Sequence, residues 1–225
     1  MFELLPLAML GGLLGLDVVC FPQMMISRPL VAATLGGALA GDATMGILMG
    51  ATLELIALAT LPFGASRYPE WGSASVVGGA IAVAIPGTPA GALTVGVLTT
   101  LMTAWVGGIS LVRLRQWNAW LARRRRPALD AGSRGTVIGL QLAGLTADAV
   151  RASVLTAVAY AVLFPPARAV VAAWTLGESV SRGFVVAAAC AVSFSAAWTI
   201  FHSARGARWY FAGGLAAGVF ILFTR

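Results

Sequence analysis

Apolar residues run through this chain almost from end to end, and carboxylates sit inside the apolar stretches. "GDATMGILMGATLELIAL", residues 41–58, carries both Asp42 and Glu54. A charge at mid-bilayer costs about 2.5–3.5 kcal/mol on insertion scales, so such a residue faces a cavity or a partner. Of the 225 residues, 59% are hydrophobic and only 10% are charged. Soluble domains run about 45–50% apolar and about 25% charged. The pattern demands an integral membrane protein and excludes a soluble domain on a single anchor.

The net charge of +7 does not point to nucleic acid. All fifteen basic residues are arginine, and seven of them fall between Arg113 and Arg134 beside one acid, Asp130. A basic stretch between apolar segments marks the cytoplasmic side of a membrane protein. It divides the chain into a first half, 1–112, a basic loop, 113–134, and a second half, 135–225, within a single membrane domain. The start, "MFELLPLAML", lacks the charged n-region of a cleavable signal. Cys20 and Cys190 each lie in an apolar run, read as buried thiols needing no disulfide. No metal-ligand spacing, phosphate loop or dinucleotide glycine pattern is present, so neither a metal nor a cofactor is expected.

Spanning helices need about 20 apolar residues. Apolar segments fall at 2–20, 29–41, 43–62, 74–86, 90–112, 136–164, 168–178, 183–202 and 208–224. Several are too short to cross, and segments of about 10–14 residues are re-entrant or buried behind other helices. Irregular backbone at membrane depth is tolerated only inside protein or beside a watery cavity. The expected fold is an all-α, polytopic helical membrane protein with broken or re-entrant helices. Gly46 and Gly50 have the small-xxx-small spacing that brings helix backbones together, for bundle packing or for dimerisation.

Candidate polar residues follow from these segments. Glu54 has no neutralising neighbour in sequence, and Arg28 and Arg151 are its candidate ion-pair partners. Asp148 and Arg151, at i and i+3, share a helix face and pair there. "LPFGASRYPEWG" breaks the helix with Pro62, Gly64, Pro69 and Gly72, and carries Arg67 and Glu70 between Tyr68 and Trp71. An acid, a base and two rings form a sugar-binding palette, with carboxylates accepting from hydroxyls and ring faces packing on C–H surfaces. The competing reading is an interfacial loop whose Tyr and Trp mark the headgroup level. An intramembrane serine protease would need Ser66 beside His202, and no serine has a distinctive nucleophile context.

The run "SRPLVAATLGGALAGDATMGILMGATLELIAL" resembles the IIC membrane subunit of the mannose/fructose/sorbose class of bacterial phosphotransferase systems. The matching residues are Arg28, Pro29 and Leu30, then Gly41 and Asp42, Gly46 and Gly50, Leu53 and Glu54, and Gly64, Pro69 and Glu70. The resemblance implies a sugar-translocating subunit, not itself an enzyme, in the bacterial inner membrane. Its partners would be a IID membrane subunit, soluble IIA and IIB proteins and further copies of itself. Substrate contact is expected at Glu54, then Glu70 and Asp42, then Gln23. Glu54 and Glu70 would accept from sugar hydroxyls, and Asp42 could instead cap a helix. Arg28, Arg67, Asp148 and Arg151 are the ion-pair candidates. The stretch "CFPQMMIS" departs from the family, which often carries an acid, a Gln and a His there; this chain offers Gln23 and Ser27. The alternative is an orphan IIC-like protein with a regulatory or scaffold role.

Overall fold

The computed structural model describes residues 4–17, 20–60 and 68–224. Nine α-helices follow one another, with no strand among the described residues: α1 Leu4–Asp17, α2 Pro29–Ala40, α3 Ala43–Ala57, α4 Trp71–Ala84, α5 Pro89–Arg124, α6 Arg126–Asp130, α7 Arg134–Ala172, α8 Glu178–Phe201 and α9 Ala207–Phe223. A single 3₁₀ turn, Leu58–Thr60, extends α3. Four of these are long and apolar enough to cross a membrane: Ala43–Thr60, Pro89–Arg124, Arg134–Ala172 and Glu178–Phe201. Helices α1, α2 and α4 are apolar but short. At 1.5 Å per residue, the 12 residues of α2 rise about 18 Å against a hydrocarbon layer of about 30 Å. The chain is a multi-pass membrane protein.

Local chemistry sets the boundaries. Pro29 and Pro89 stand in the first turns of α2 and α5, where a missing N–H costs nothing. Gly41 ends α2 at φ 111°, a left-handed conformation that favours glycine, and its N–H returns to the α2 carbonyls. Asp42 then caps α3, accepting from Thr44 N and Met45 N at 2.8 and 3.0 Å. The two-residue connection folds α2 and α3 into an antiparallel hairpin. Its seam is built from small residues: a Cβ on Gly46 would meet the Ala33 carbonyl at 2.9 Å, and one on Gly50 would meet Leu30 Cα at 2.8 Å. The Gly46/Gly50 pair therefore serves packing within the chain.

The middle of the molecule is α4. Every residue from Trp71 to Ala82 is buried, packed against α1, α2, α3, α5 and α7. Helix α5 runs antiparallel to it, Gly107 facing Glu70 at one end and Gly96 facing Ala82 at the other. Helix α7 returns antiparallel to α5, with Leu155 against Gly107 and Asn118 against Gly144. Helix α1 packs along α7, Gly11 on Thr156 and Gly15 on Ala152. Helix α8 is tied to α5 by Glu178, whose Oε2 accepts from Ala90 N at 3.2 Å. Helix α9 rests on α8 through edge-on contacts of Phe211 with Phe194 and Trp198.

Close backbone approach gives a sharp expectation. A Cβ on Gly79 would stand 2.3 Å from the Ala33 carbonyl, whereas one on Gly139 meets nothing within 4 Å. Gly79→Ala is expected to destabilise the protein by about 1–3 kcal/mol through overpacking. Gly139→Ala, by helix propensity, is expected to be neutral or stabilising by up to about 1 kcal/mol. Thermal unfolding of the two purified variants checks the pair; equal melting temperatures would contradict the seam.

The structure corrects several sequence expectations. Residues 113–134, expected as a basic loop, are largely helical: α5 continues to Arg124, α6 follows, and a turn through Gly132 leads into α7. Residues 113–124 contain no Gly or Pro to stop a helix. Segments 136–164 and 168–178 are not separate, because α7 runs to Ala172 with Pro165 and Pro166 inside it. Membrane helices tolerate proline where neighbours and local adjustments satisfy the freed carbonyls. Cys20 and Cys190 are free but exposed rather than buried; a thiol behaves as a small hydrophobe and tolerates an apolar surround.

Candidate functional site

The polar residues of the core collect where the start of α4 meets the middles of α5 and α7 and the end of α1. Glu70 is the N-cap of α4 and is 1% exposed. Its Oε1 accepts from Ser73 N at 3.1 Å, and its own N–H donates to the Ala104 carbonyl of α5 at 3.0 Å. Three glycines make room for the carboxyl group. A Cβ on Gly107 would lie 2.7 Å from Glu70 Cβ, and Cβ atoms on Gly15 and Gly72 would lie 3.4 and 3.2 Å from Oε1.

Helix α7 supplies the matching charges. Asp148 is fully buried and is paired with Arg151 one turn on, as the i,i+3 spacing allows. Arg151 Nε donates to Asp148 Oδ1 at 2.8 Å, and Nη1 donates to Ser110 Oγ of α5 at 3.0 Å. Cys20 Sγ donates to the other Asp148 oxygen at 3.1 Å, closing the cluster from the loop after α1. Arg151 and Asp148 are both near enough to act electrostatically on Glu70. Two polar atoms of the cluster remain without a hydrogen-bond partner among the described residues, Glu70 Oε2 and Arg151 Nη2. Nη2 stands 2.8 Å from Asp148 Oδ1, misaligned for a hydrogen bond. Glu70 Oε2 is thus the open acceptor of the cluster, while Nη2 stays ion-paired with Asp148.

Tyr68 and Trp71 face into the protein rather than outward. Both are buried. The Tyr68 hydroxyl accepts from Arg115 Nη2 at 2.6 Å, with the guanidinium 5.0 Å from the ring centroid. Trp71 Nε1 donates to Thr60 Oγ1 at 3.1 Å, and its ring belongs to the apolar core. Pro62, Gly64, Ser66 and Arg67 lie outside the described residues. His202 is exposed just past α8, its Nδ1 2.9 Å from the Thr199 carbonyl.

Glu54 sits apart from this cluster. It is paired with Arg28, and its Oε2 accepts from Leu30 N at 3.1 Å, so the carboxylate closes the start of α2. Asp42 is exposed and occupied as the α3 cap. Gln23 lies exposed in the loop before α2.

That loop is held by Asp17, a residue the sequence reading passed over. Asp17 is buried at the end of α1 and accepts from Met24 N at 2.7 Å, Ser27 N at 2.9 Å and Ser27 Oγ at 2.8 Å. Gln23 and Met25 adopt left-handed backbone within the same loop, at φ 59° and 61°. An acid ending an apolar run was the available signal. Asp17→Ala removes the acceptor for all three donors, each costing about 1–3 kcal/mol if left buried and unpaired. The expected result is faster proteolysis between residues 20 and 28 with the membrane helices still protected; an unchanged cleavage rate would contradict the clamp.

Comparison with known proteins agrees with this architecture. The sequence pattern of the family described as "PTS system sorbose-specific iic component" matches residues 1–189. The mannose-specific EIIC component of Escherichia coli K12 is 35% identical over 95 residues, 37% of this chain and 36% of the relative. The sorbose-specific EIIC component of Lacticaseibacillus casei is 28% identical over 160 residues, 71% of this chain and 56% of the relative. The Bacillus subtilis fructose permease IIC component is 42% identical over 85 residues, 32% of each chain. These alignments thus span between about a third and just over half of the relatives' own lengths. A solved structure described as "Structure of membrane protein" superposes with a TM-score of 0.75 at 19% identity, covering 96% of this chain and 86% of the other. The cryo-EM structure of the mannose transporter ManYZ with microcin E492 superposes with a TM-score of 0.61 at 21% identity, with the same coverage. At such identities the likeness is one of fold, while the family match runs through α1 to α7 and into α8. The chain belongs to the sorbose-type IIC family of phosphotransferase-system membrane components.

Proposed function

We propose that this protein is the sugar-translocating IIC subunit of a phosphoenolpyruvate-dependent phosphotransferase system of the mannose/fructose/sorbose type. The observation that carries the reading is Glu70 Oε2, a buried acceptor with no hydrogen-bond partner among the described residues, in the cluster that holds the Asp148–Arg151 pair. Buried polar atoms are nearly always hydrogen-bonded, so each exception needs an explanation. A sugar hydroxyl is both a donor and an acceptor. Donating to Glu70 Oε2, it would satisfy that atom, and a neighbouring hydroxyl could reach Ser110 or the Asp148–Arg151 pair. Glu70 is closed off in this conformation, so translocation requires α4, α5 and α7 to part around it.

Glu70 takes the first place that the sequence alone gives to Glu54, because Glu54 is already committed to Arg28 and Leu30 N. Asp42 and Gln23, both exposed, fall outside the closed site. The cluster lies toward the arginine-bearing end of α5, since Ser110 is within four residues of Arg113. With that end cytoplasmic by the positive-inside rule, the sugar would be held near the face where a IIB protein, charged by IIA, phosphorylates it. A IID subunit and further copies of this chain would complete the assembly in the bacterial inner membrane. The chain itself would carry no phosphoryl group.

The test is uptake of labelled mannose, fructose and sorbose, with sugar phosphate assayed, in cells expressing the chain with its IID, IIA and IIB partners. Phosphorylated product from at least one sugar is expected. Glu54→Gln is expected to reduce uptake severalfold by loosening the start of α2, with little change in KM. A Glu54→Gln effect confined to KM would return Glu54 to the substrate site. No product from any sugar, with the chain inserted normally, would contradict the reading.

A further inference from the structure

Helix α5 carries 36 residues and so rises about 54 Å, more than the 40–45 Å of a bilayer with its headgroups. Its last turns and the first turns of α7 therefore form an antiparallel arm in and just beyond one headgroup layer. Between them lies a half-open cavity of about 380 Å³. Leu121 and Arg125 line it from the α5 side, and Gly135, Thr136, Gly139 and Leu140 from α7.

The two ends of this groove differ in character. At one end stands Arg125, for which no carboxylate partner exists among the described residues. Beside it is the N-terminus of α7, whose first N–H groups have no intrahelical acceptor. Ser133 Oγ takes Thr136 N, leaving the first-turn N–H groups of Arg134 and Gly135 to be satisfied from outside the helix. A helix N-terminus favours an anion, and here an uncompensated guanidinium faces the same space. At the other end the lining is Leu121, Leu140 and Ala143, leading along α7 toward the membrane. Gly135 and Gly139 keep the wall open, since a Cβ at either would meet nothing within 4 Å. Trp117, Trp120, Val137, Ile138 and Leu142 are exposed around the arm. Interfacial tryptophans mark the headgroup level, and such apolar side chains would otherwise face water.

We propose that this groove is a binding site for an anionic phospholipid, with the phosphodiester at Arg125 and the α7 N-terminus and an acyl chain along Leu121 and Leu140. Seven arginines against one aspartate over residues 113–134 supply the charge complementarity. The apolar end of the groove and the exposed tryptophans fit a lipid better than a soluble anion. The site lies on the arm, away from Glu70 and Arg151, and does not depend on sugar transport.

The test uses the full-length protein in neutral detergent, with bound lipid counted by native mass spectrometry. Phosphatidylglycerol, phosphatidylcholine and glycerol phosphate are titrated separately. Phosphatidylglycerol is expected to bind at least about fivefold more tightly than phosphatidylcholine, the worth of one arginine near a charged headgroup. Arg125→Gln and, separately, Gly139→Leu are expected to erase that preference, while Arg208→Gln, on α9, keeps it. Gly139→Leu fills the groove without a backbone clash, so its thermal unfolding should match or exceed that of wild type. Equal binding of the two lipids, a preference that survives both variants, or glycerol phosphate binding as tightly as phosphatidylglycerol would each overturn the proposal. The last would make the groove a site for a soluble phosphate. Competition by an acidic soluble protein with no lipid preference would make it a protein-docking surface.

Discussion

Arg151→Ala is expected to be the most damaging single substitution in the core. Arg151 is the partner of a fully buried Asp148 and holds Ser110 of α5 to α7. Removing it leaves Asp148 buried with, among the described residues, only the Cys20 thiol as donor, and removes a positive charge that acts on Glu70. Breaking a buried pair by deleting one partner costs about 3–5 kcal/mol. Thermal unfolding in detergent should fall sharply, and sugar uptake should be lost. Arg151→Lys separates stability from recognition. A lysine restores the charge and so most of the stability, but it lacks the planar fork that reaches Asp148 and Ser110 together. Uptake should therefore stay low in a variant that folds. Wild-type stability for Arg151→Ala would remove the pair from any structural role, and full uptake in Arg151→Lys would remove its geometry from recognition.

Glu70→Gln is expected to abolish transport while sparing the fold. Glutamine keeps the volume that the Gly15, Gly72 and Gly107 cage accepts and can still cap Ser73 N through its carbonyl. Its amide, however, puts a donor where Oε2 was an open acceptor. A sugar hydroxyl then loses a charge-assisted hydrogen bond, about 1.5–3 kcal/mol, or roughly tenfold to more than a hundredfold in affinity. Uptake measured alongside membrane insertion and thermal unfolding checks this. Glu70→Ala, which also removes the cap at a cost of about 0.5–2 kcal/mol, should lose both uptake and stability. Wild-type uptake by Glu70→Gln would reduce Glu70 to a helix cap.

The fold was legible where chemistry is local. Gly41 and Asp42 announce a turn and a cap in adjacent letters, and the structure has both. Pro29 and Pro89 open the helices that follow them. The short α2 and α4 follow from short apolar runs. The extension of α5 was hidden because arginines between tryptophans read as solvent-facing loop, although nothing in that stretch opposes a helix. The union of α7 across Pro165 and Pro166 was hidden because proline is a good stop signal in water and a weaker one among packed membrane helices.

The site was legible only in its parts. The i,i+3 spacing of Asp148 and Arg151 states their pairing, and Glu70 stands out beside a helix break. Their assembly depends on contacts that span the chain: Ser110 to Arg151 across 41 residues, and Cys20 to Asp148 across 128. No local pattern encodes such distances. Glu54 stands out in the sequence because its neighbours are all apolar, and Arg28, one of the two partners the sequence offers it, pairs with it from the start of α2. Glu70 is the more informative acid because its buried Oε2 has no donor among the described residues.

The most direct measurement is the position of a bound sugar in the assembled membrane complex, by cryo-EM with the transported substrate present. Density for a sugar hydroxyl is expected within hydrogen-bond distance of Glu70 Oε2, next to the Asp148–Arg151 pair, with α4, α5 and α7 closed around it. Sugar density along the Arg28–Glu54 pair, with the Glu70 cluster unchanged and sealed, would contradict it.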